Sequence, residues 1–249
     1  MAKHTARNSN VSTLFRRCVL AGGYALLSFV TALSISWFVL ALGNFGYGLW
    51  HDIGGIEEGI EKYGPLNRFK PGFADTTRAQ RIDLFQQINY SVHNGGEGLA
   101  QIQYQTPSSG GVQLLLRAPE IEHLQDVANL IDFLRVVALG AIFAWGLASV
   151  LLWRKRALPH LLDQCVGLAI WLLPAVVAVF VIGPETVFNF MHVQVFPPGH
   201  QWFFYYQESL MSTMMLAPVL FGWIAAAMLL LSLLLFFVFQ GVIASRSRS

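Results

Sequence analysis

The chain has 249 residues, of which 55% are hydrophobic and only 12% are charged. The charged share is about half of that in an average soluble domain, so the composition favours a membrane protein. The formal net charge is +2, which gives no strong overall field of the kind that attracts nucleic acid. No nucleic-acid partner is therefore expected.

The two cysteines, Cys18 and Cys165, lie far apart in sequence, and each lies in an apolar stretch. A disulfide framework and a thiolate metal site both need cysteines at closer or patterned spacing. We therefore interpret both cysteines as small buried residues.

Four stretches are long and apolar enough to cross a bilayer, because a span needs about 20 mostly apolar residues. They run from about 18 to 42, 133 to 153, 161 to 182 and 214 to 243. The first has a basic flank like that of a signal peptide, but its apolar run exceeds the roughly 7–15 residues of a cleaved signal. We interpret it as an uncleaved membrane anchor.

The basic residues predict the orientation of these spans, because short cytoplasmic segments collect lysine and arginine. Nine of the sixteen fall in the two chain ends and in the turn between the second and third spans. They are Lys3, Arg7, Arg16, Arg17, Arg154, Lys155, Arg156, Arg246 and Arg248. We therefore expect one integral membrane domain with cytoplasmic termini, and with residues of about 47–132 and 184–212 outside.

The first outer segment carries local signals for a helix and a hairpin. Thr76 or Thr77 is a suitable cap for a helix that ends near Gly95 and Gly96. The following "AQIQYQT" and "VQLLL" suit two strands joined at "PSSGG". The predicted fold is mainly α: a four-helix transmembrane bundle with a small extracytoplasmic α+β element, made of that helix and the β-hairpin.

The segment "EIEHLQDVANLIDFLR" precedes the second span. Pro119 suits the start of a helix, and Glu120 and Glu122 complement its N-terminus. No helix breaker follows before Trp153, so the first turns should stand at or above the outer surface. The spacing places His123 and Asp126 on one face of this helix.

In the second outer segment the sequence predicts a short interfacial helix that begins at Pro184 and ends at Pro197-Pro198-Gly199. His192 lies on this helix in an apolar setting. Histidine is suited to moving protons near neutral pH, so His123 and His192 are the candidate catalytic residues, with Asp126 placed to orient His123. The alternative interpretation is that both histidines only make local hydrogen bonds at the interface.

Other chemistries have weaker support. His123, Asp126 and His192 are conceivable zinc ligands, but no spacing typical of a metal site is present. The sequence also lacks a serine-nucleophile motif and a phosphate-binding glycine loop. We expect neither a metal nor a cofactor.

Two motifs together resemble the bacterial lipoprotein intramolecular transacylase family. The first is Glu120-Ile121-Glu122-His123-Leu124-Gln125-Asp126-Val127, which resembles the family pattern of Glu, two residues, His-Met-x-Asp-Val, with Leu124 in the methionine position. The second comprises His192, Phe196, Pro197, Gly199 and Trp202. Met191 replaces the family's phenylalanine before the histidine, and the stretch from His192 to Trp202 is one residue longer.

The resemblance implies an acyltransferase of a bacterial plasma (inner) membrane, with its active site at the extracytoplasmic face. Such an enzyme moves the sn-2 acyl chain of a diacylglyceryl-cysteine lipoprotein to the α-amino group of that cysteine, which gives a lyso-form lipoprotein. His123 and His192 would be the catalytic pair, supported by Glu120, Asp126 and Trp202. The implied partners are the diacylated lipoprotein N-terminus and membrane phospholipid; the sequence does not specify an oligomeric state.

Two alternatives remain open at this stage. One is a non-catalytic sensor or assembly protein that binds through its outer domain, for which the two histidines need not meet. The other is a metal-dependent membrane hydrolase that uses His123, Asp126 and His192.

Overall fold

The computed structural model describes the backbone of residues 2–246 and the side chains of residues 19–183 and 185–243. Cys18 and the basic residues predicted at the cytoplasmic chain ends lie outside the described side chains. In chain order the helices are α1 (Ala2–Leu42), α2 (Tyr47–Ile53), α3 (Ile56–Tyr63), α4 (Arg78–His93), α5 (Ala118–Arg154), α6 (Leu161–Ile182), α7 (Pro184–Val195), α8 (Leu210–Met215) and α9 (Val219–Arg246). Strands β1 (Gln103–Thr106) and β2 (Gly111–Leu114) lie between α4 and α5.

Within the described residues, four helical segments are long and apolar enough to cross a membrane. They are Val19–Leu42, Ala118–Arg154, Leu161–Ile182 and Val219–Ile243. The second has 37 residues, about 55 Å at 1.5 Å per residue, so it extends well beyond a hydrocarbon core of about 30 Å. The predicted mainly α fold with four membrane helices and a small helix-plus-hairpin element is confirmed.

The fourth membrane helix begins at Val219, later than the predicted residue 214. Residues Leu210–Met215 form the separate helix α8, and Leu216 then takes a left-handed backbone conformation with φ of 41°. Pro218 follows, and it has no N–H to donate to a helix on its N-terminal side. The apolar run is therefore continuous in sequence but broken in backbone.

The chain forms two compact units, each assembled from separate stretches of sequence. One unit comprises Trp37–Val136 and Met191–Leu229. The other takes in Val137–Phe190 together with the described residues before 37 and after 229. The second of these units consists of helical segments of α1, α5, α6, α7 and α9.

Small and hydroxyl side chains join the helices of that helical unit. Its core cluster comprises Ala25, Phe29, Ala32, Leu168 and Phe236. The hydroxyls of Tyr24 and Ser149 lie 2.9 Å apart, and those of Ser232 and Ser36 lie 3.0 Å apart. Hydrogen bonds and close packing at small residues are the interactions that hold helices together where lipid removes the hydrophobic driving force.

In the unit of residues 37–136 and 191–229, α4 forms as the sequence predicts. Thr77 caps it, accepting from the Gln80 backbone N–H while the Gln80 side chain accepts from the Thr77 N–H. This reciprocal arrangement satisfies two otherwise unpaired helix donors. Leu84, Phe85 and Ile88 are buried on its inner face.

The hairpin packs beside α4. β1 and β2 pair antiparallel, with Gln103 opposite Leu114 and Thr106 opposite Gly111. Alternate residues of β1 are buried, and the Tyr104 ring meets the Phe73 ring edge-on at 5.4 Å. The alternation therefore directs one face of β1 into the core, as expected for a half-buried strand.

Candidate active site

The first turns of α5 present three polar side chains at intervals of three residues. Glu120 is completely buried, and His123 is 8% exposed. Asp126 follows one turn later. Residues three apart on a helix are neighbours on its surface, so these three side chains form a row along one face of α5.

Glu120 fastens the N-terminus of α8 to the N-terminus of α5. One carboxylate oxygen accepts from the Arg117 backbone N–H at 2.8 Å. The other accepts from the Ser209 hydroxyl at 2.6 Å and the Met211 N–H at 3.3 Å. The acid complements a helix N-terminus, as its position predicts, and it also joins two segments 89 residues apart.

His123 lies next to the second sequence-predicted histidine. The ring centroids of His123 and His192 are 6.5 Å apart. Phe196 and Phe204 flank His123, at 4.9 Å and 6.0 Å between centroids. Nδ1 of His123 is buried and has no hydrogen-bond partner among the residues that the structure describes. A buried imidazole nitrogen without a partner is costly, which makes it a candidate functional group.

His192 stands between aromatic rings on the end of α7. Its ring centroid is 5.3 Å from that of Phe196 and 4.9 Å from that of Trp202. The ring is partly exposed. The structure thus brings together His123, His192 and Trp202 of the sequence-predicted site.

The turn after α7 explains how Trp202 returns to His192. Pro197 and Pro198 cannot continue the helix. The His200 N–H donates to the Pro197 carbonyl at 3.2 Å, and Gly199 has φ of 91°, a conformation that glycine adopts at little cost. The chain therefore reverses direction within these residues.

Asp126 has a partner that the sequence interpretation missed. Its Oδ2 lies 2.7 Å from Nδ1 of His200, whereas it was expected to orient His123. Glu122 lies on the other side, with Oε1 3.6 Å from Nε2 of His200. The hydrogen bond that His200 donates to Asp126 raises the pKa of His200 above its ordinary value, and the charges of Asp126 and Glu122 add to this effect.

His200 gives no periodic signal in the sequence, because it stands in a loop. Its position directly after Pro-Pro-Gly is the only local hint that it lies in a turn. Its acidic partners are 74 and 78 residues earlier in the chain, and helical spacing does not predict contacts over that distance.

A metal site is not formed by the candidate residues. Across the described part of the chain, no group of three or more histidine, cysteine, aspartate or glutamate side chains is arranged to hold a metal ion. The acid of the conceivable zinc set, Asp126, is hydrogen-bonded to His200.

A family model described as "Lipoprotein intramolecular transacylase Lit" matches residues 83–217. That range is more than half of the 249-residue chain, and it contains every residue of the site described above. The chain belongs to the Lit family. It is therefore an acyltransferase of the class that modifies lipoproteins, built as a multi-pass membrane protein.

Two solved structures of a Lit protein from Bacillus cereus have a similar fold. A histidine-to-arginine mutant matches with a TM-score of 0.63 and 16% identity, covering 100% of this chain and 99% of the other. A second structure matches with a TM-score of 0.62 and 16% identity, covering 94% and 98%. No curated protein matches. At this identity the likeness concerns the fold, and the Lit assignment depends on the family match.

Proposed function

We propose that His123 and His192 form the catalytic pair of a transacylation within one lipoprotein molecule. In this reaction the sn-2 acyl chain of a diacylglyceryl-cysteine moves to the α-amino group of the same cysteine. The observation that carries the proposal is the meeting of the two imidazoles from α5 and α7, with Nδ1 of His123 buried and unpaired among the described residues. Family membership supplies the substrate class.

The reaction needs proton transfer at two atoms. The α-amino nitrogen attacks the ester carbonyl carbon, and the bond from that carbon to the glycerol oxygen breaks. One proton leaves the nitrogen and one proton is returned to the glycerol oxygen, so no water or other reactant is consumed. Two histidines within reach of one ester perform these transfers as general base and general acid.

The surroundings of His123 suit the role of a base. Desolvation of a buried ring favours the neutral imidazole, which is the form that accepts a proton. Phe196 and Phe204 supply the apolar walls. Donor and acceptor belong to one substrate molecule, so holding them in contact supplies much of the rate enhancement.

The three supporting residues act on the placement of this pair. Glu120 holds the N-terminal ends of α5 and α8 together. Asp126 binds His200 in the loop that follows α7. Trp202 packs against the His192 ring, which limits the orientations available to that imidazole.

The location of the enzyme is also part of the proposal. The distribution of lysine and arginine supports a single integral membrane domain with cytoplasmic termini. The site would then lie at the extracytoplasmic face of the bacterial plasma membrane, in contact with phospholipid and with the lipidated N-terminus of the substrate.

The test is lipopeptide analysis from cells that make diacyl lipoprotein. Wild-type protein should convert the N-terminal lipopeptide to the N-acyl lyso-form, and His123→Ala and His192→Ala should each leave it diacylated. The transfer does not change the total mass, so fragment ions that report acylation of nitrogen must be read. Identical fragment ions from wild type and from a variant that carries both His123→Ala and His192→Ala would refute the proposal.

His160→Gln is the matched control. His160 precedes α6, its side chain makes no capping hydrogen bond, and it is exposed. This variant should retain wild-type conversion. Membrane levels and melting temperature in detergent of all variants show whether a lost activity reflects lost protein.

A further inference from the structure

We propose that His200 is a positioning residue that holds the loop after α7 against α5 and so keeps His192, with Trp202 packed on it, beside His123. The inference builds on the proposed roles of the two catalytic histidines. Its basis is the contact of the His200 ring with two acids of α5, Asp126 at 2.7 Å and Glu122 at 3.6 Å. His200 does not need to touch the substrate for this role.

The position of this contact decides which part of the site it controls. His200 lies two residues before Trp202, and Trp202 packs on His192. Phe196, on the other side of the turn, contacts both catalytic rings. Detaching His200 from α5 therefore frees the short stretch that carries both aromatic neighbours of His192.

A second fastening lies at the far end of the same stretch. Ser209 and Glu120 are both completely buried, and their hydrogen bond ties residue 209 to α5. Besides the ring contacts of Phe196 and Phe204 with His123, this stretch is hydrogen-bonded to α5 at one buried residue, Ser209, and at one residue accessible to solvent, His200. The side chain of His200 is 35% exposed and that of Asp126 is 10% exposed, so protons from solvent reach the contact between these two residues.

Because His200 can carry a charge, its contact with Asp126 and Glu122 depends on pH. The facing charged groups are Glu122 and Asp126 on α5, and His123 is the other titratable neighbour of Asp126. The acids raise the pKa of His200, so the charged pair is complete below the ordinary histidine pKa. It weakens as pH rises through the raised value, because a neutral ring keeps a hydrogen bond but loses the charge.

The kinetic test compares wild type with His200→Ala, His200→Gln and the control His160→Gln on a synthetic diacylglyceryl-cysteine lipopeptide in detergent. His200→Ala should lower kcat at least severalfold with little change in KM, because positioning acts on the reacting geometry. His200→Gln keeps a hydrogen-bond donor without the charge and should recover part of the loss. At low pH the kcat of His200→Gln should be about two- to fivefold below that of wild type, which corresponds to the free energy of a partly exposed ion pair.

The pH profile separates this role from a merely structural one. The ratio of wild-type kcat to that of His200→Gln should fall toward one as pH rises through the raised pKa of His200. Protonation of the free substrate amine is the same in both reactions and cancels in the ratio. A ratio that does not change with pH, or a His200→Ala variant with wild-type kcat, would overturn the inference.

Hydrogen exchange measured on the same variants tests the fastening without using activity. Backbone amides of residues 199–204 should exchange faster in His200→Ala than in wild type at pH 6, with little change at the buried Ser209 end. Equal exchange would overturn the inference even in an active enzyme. If wild type transfers no acyl chain while the exchange difference appears, the proposed function fails and the fastening stands.

Discussion

The buried hydrogen bond between Ser209 and Glu120 gives a sharp stability prediction. The Ser209 hydroxyl donates to the Glu120 carboxylate at 2.6 Å and accepts from the Ser212 N–H at 2.9 Å as the cap of α8. Ser209→Ala removes both interactions. Loss of a helix cap costs about 1 kcal/mol, and loss of a hydrogen bond to a charged group costs about 1.5–3 kcal/mol.

The two losses together give about 3 kcal/mol, which lowers the melting temperature by about 6–12 °C for a chain of this length. Thermal unfolding in detergent, followed by tryptophan fluorescence, measures the change. Ser34→Ala is the control, because the Ser34 hydroxyl donates to the Val30 carbonyl within α1 and should cost little. A Ser209→Ala protein that melts with the wild type would refute this reasoning.

Glu120→Gln tests the same contact from the other side. The amide keeps the shape of the carboxylate but presents an N–H₂ group either to the Ser209 hydroxyl or to the Arg117 N–H, both of which donate to the acid. We expect a loss of about 2–3 kcal/mol. The loss in the double variant with Ser209→Ala should fall short of the sum by about 1–2 kcal/mol, because the two changes remove one shared bond. Strict additivity would contradict the proposed contact.

Two further predictions concern the unit that contains the site. Gly96 and Gly110 both have positive φ, so an alanine at either position carries a backbone cost of about 1–2 kcal/mol. At Gly96 the added Cβ would also displace the end of the Gln125 side chain, which then loses its hydrogen bond to the Gly95 carbonyl, whereas at Gly110 it meets nothing within 4 Å. Gly96→Ala should therefore lower the melting temperature more than Gly110→Ala. Equal losses would contradict the steric argument. The hydrogen bond from Arg78 lowers the pKa of Asp52 from 3.8 to about 2. Ionised Asp52 therefore stabilises the folded protein at pH values above 3.8, and this stability is lost as the pH falls through the folded-state pKa of about 2. The difference in melting temperature between wild type and Asp52→Asn should accordingly be constant above about pH 4 and vanish near pH 2, and a difference that persists there would show another cause.

The elements predicted correctly are those with local causes. Thr77 and Gln80 form a capping box within four residues, and the β-hairpin closes across "PSSGG". The start of the fourth membrane helix was predicted too early, because hydropathy does not distinguish α8 from α9. The break depends on the backbone at Leu216 and on Pro218, and neither changes the apolar character of the run.

The candidate site divides in the same way. Helical spacing placed His123 and Asp126 on one face of α5, which depends only on the geometry of one helix. The hydrogen-bond partner of Asp126 was not predicted, because that partner, His200, comes from a loop 74 residues away. Ser209 is likewise a long-range partner of Glu120. Contacts of this kind depend on how the stretch after α7 folds back onto α5.

The acids around His123 explain why a membrane helix begins with so many polar groups. Glu120 lies one turn before His123 and binds Ser209, and Asp126 lies one turn after it and binds His200. The contacts of Ser209 and His200 with α5 therefore lie on opposite sides of His123 along this helix. The stretch between these two points carries Trp202, which packs on the His192 ring, and Phe204, which packs on the His123 ring. The acids thus find hydrogen-bond partners for their own charges and, by the same contacts, hold against α5 the stretch that carries Trp202 and Phe204.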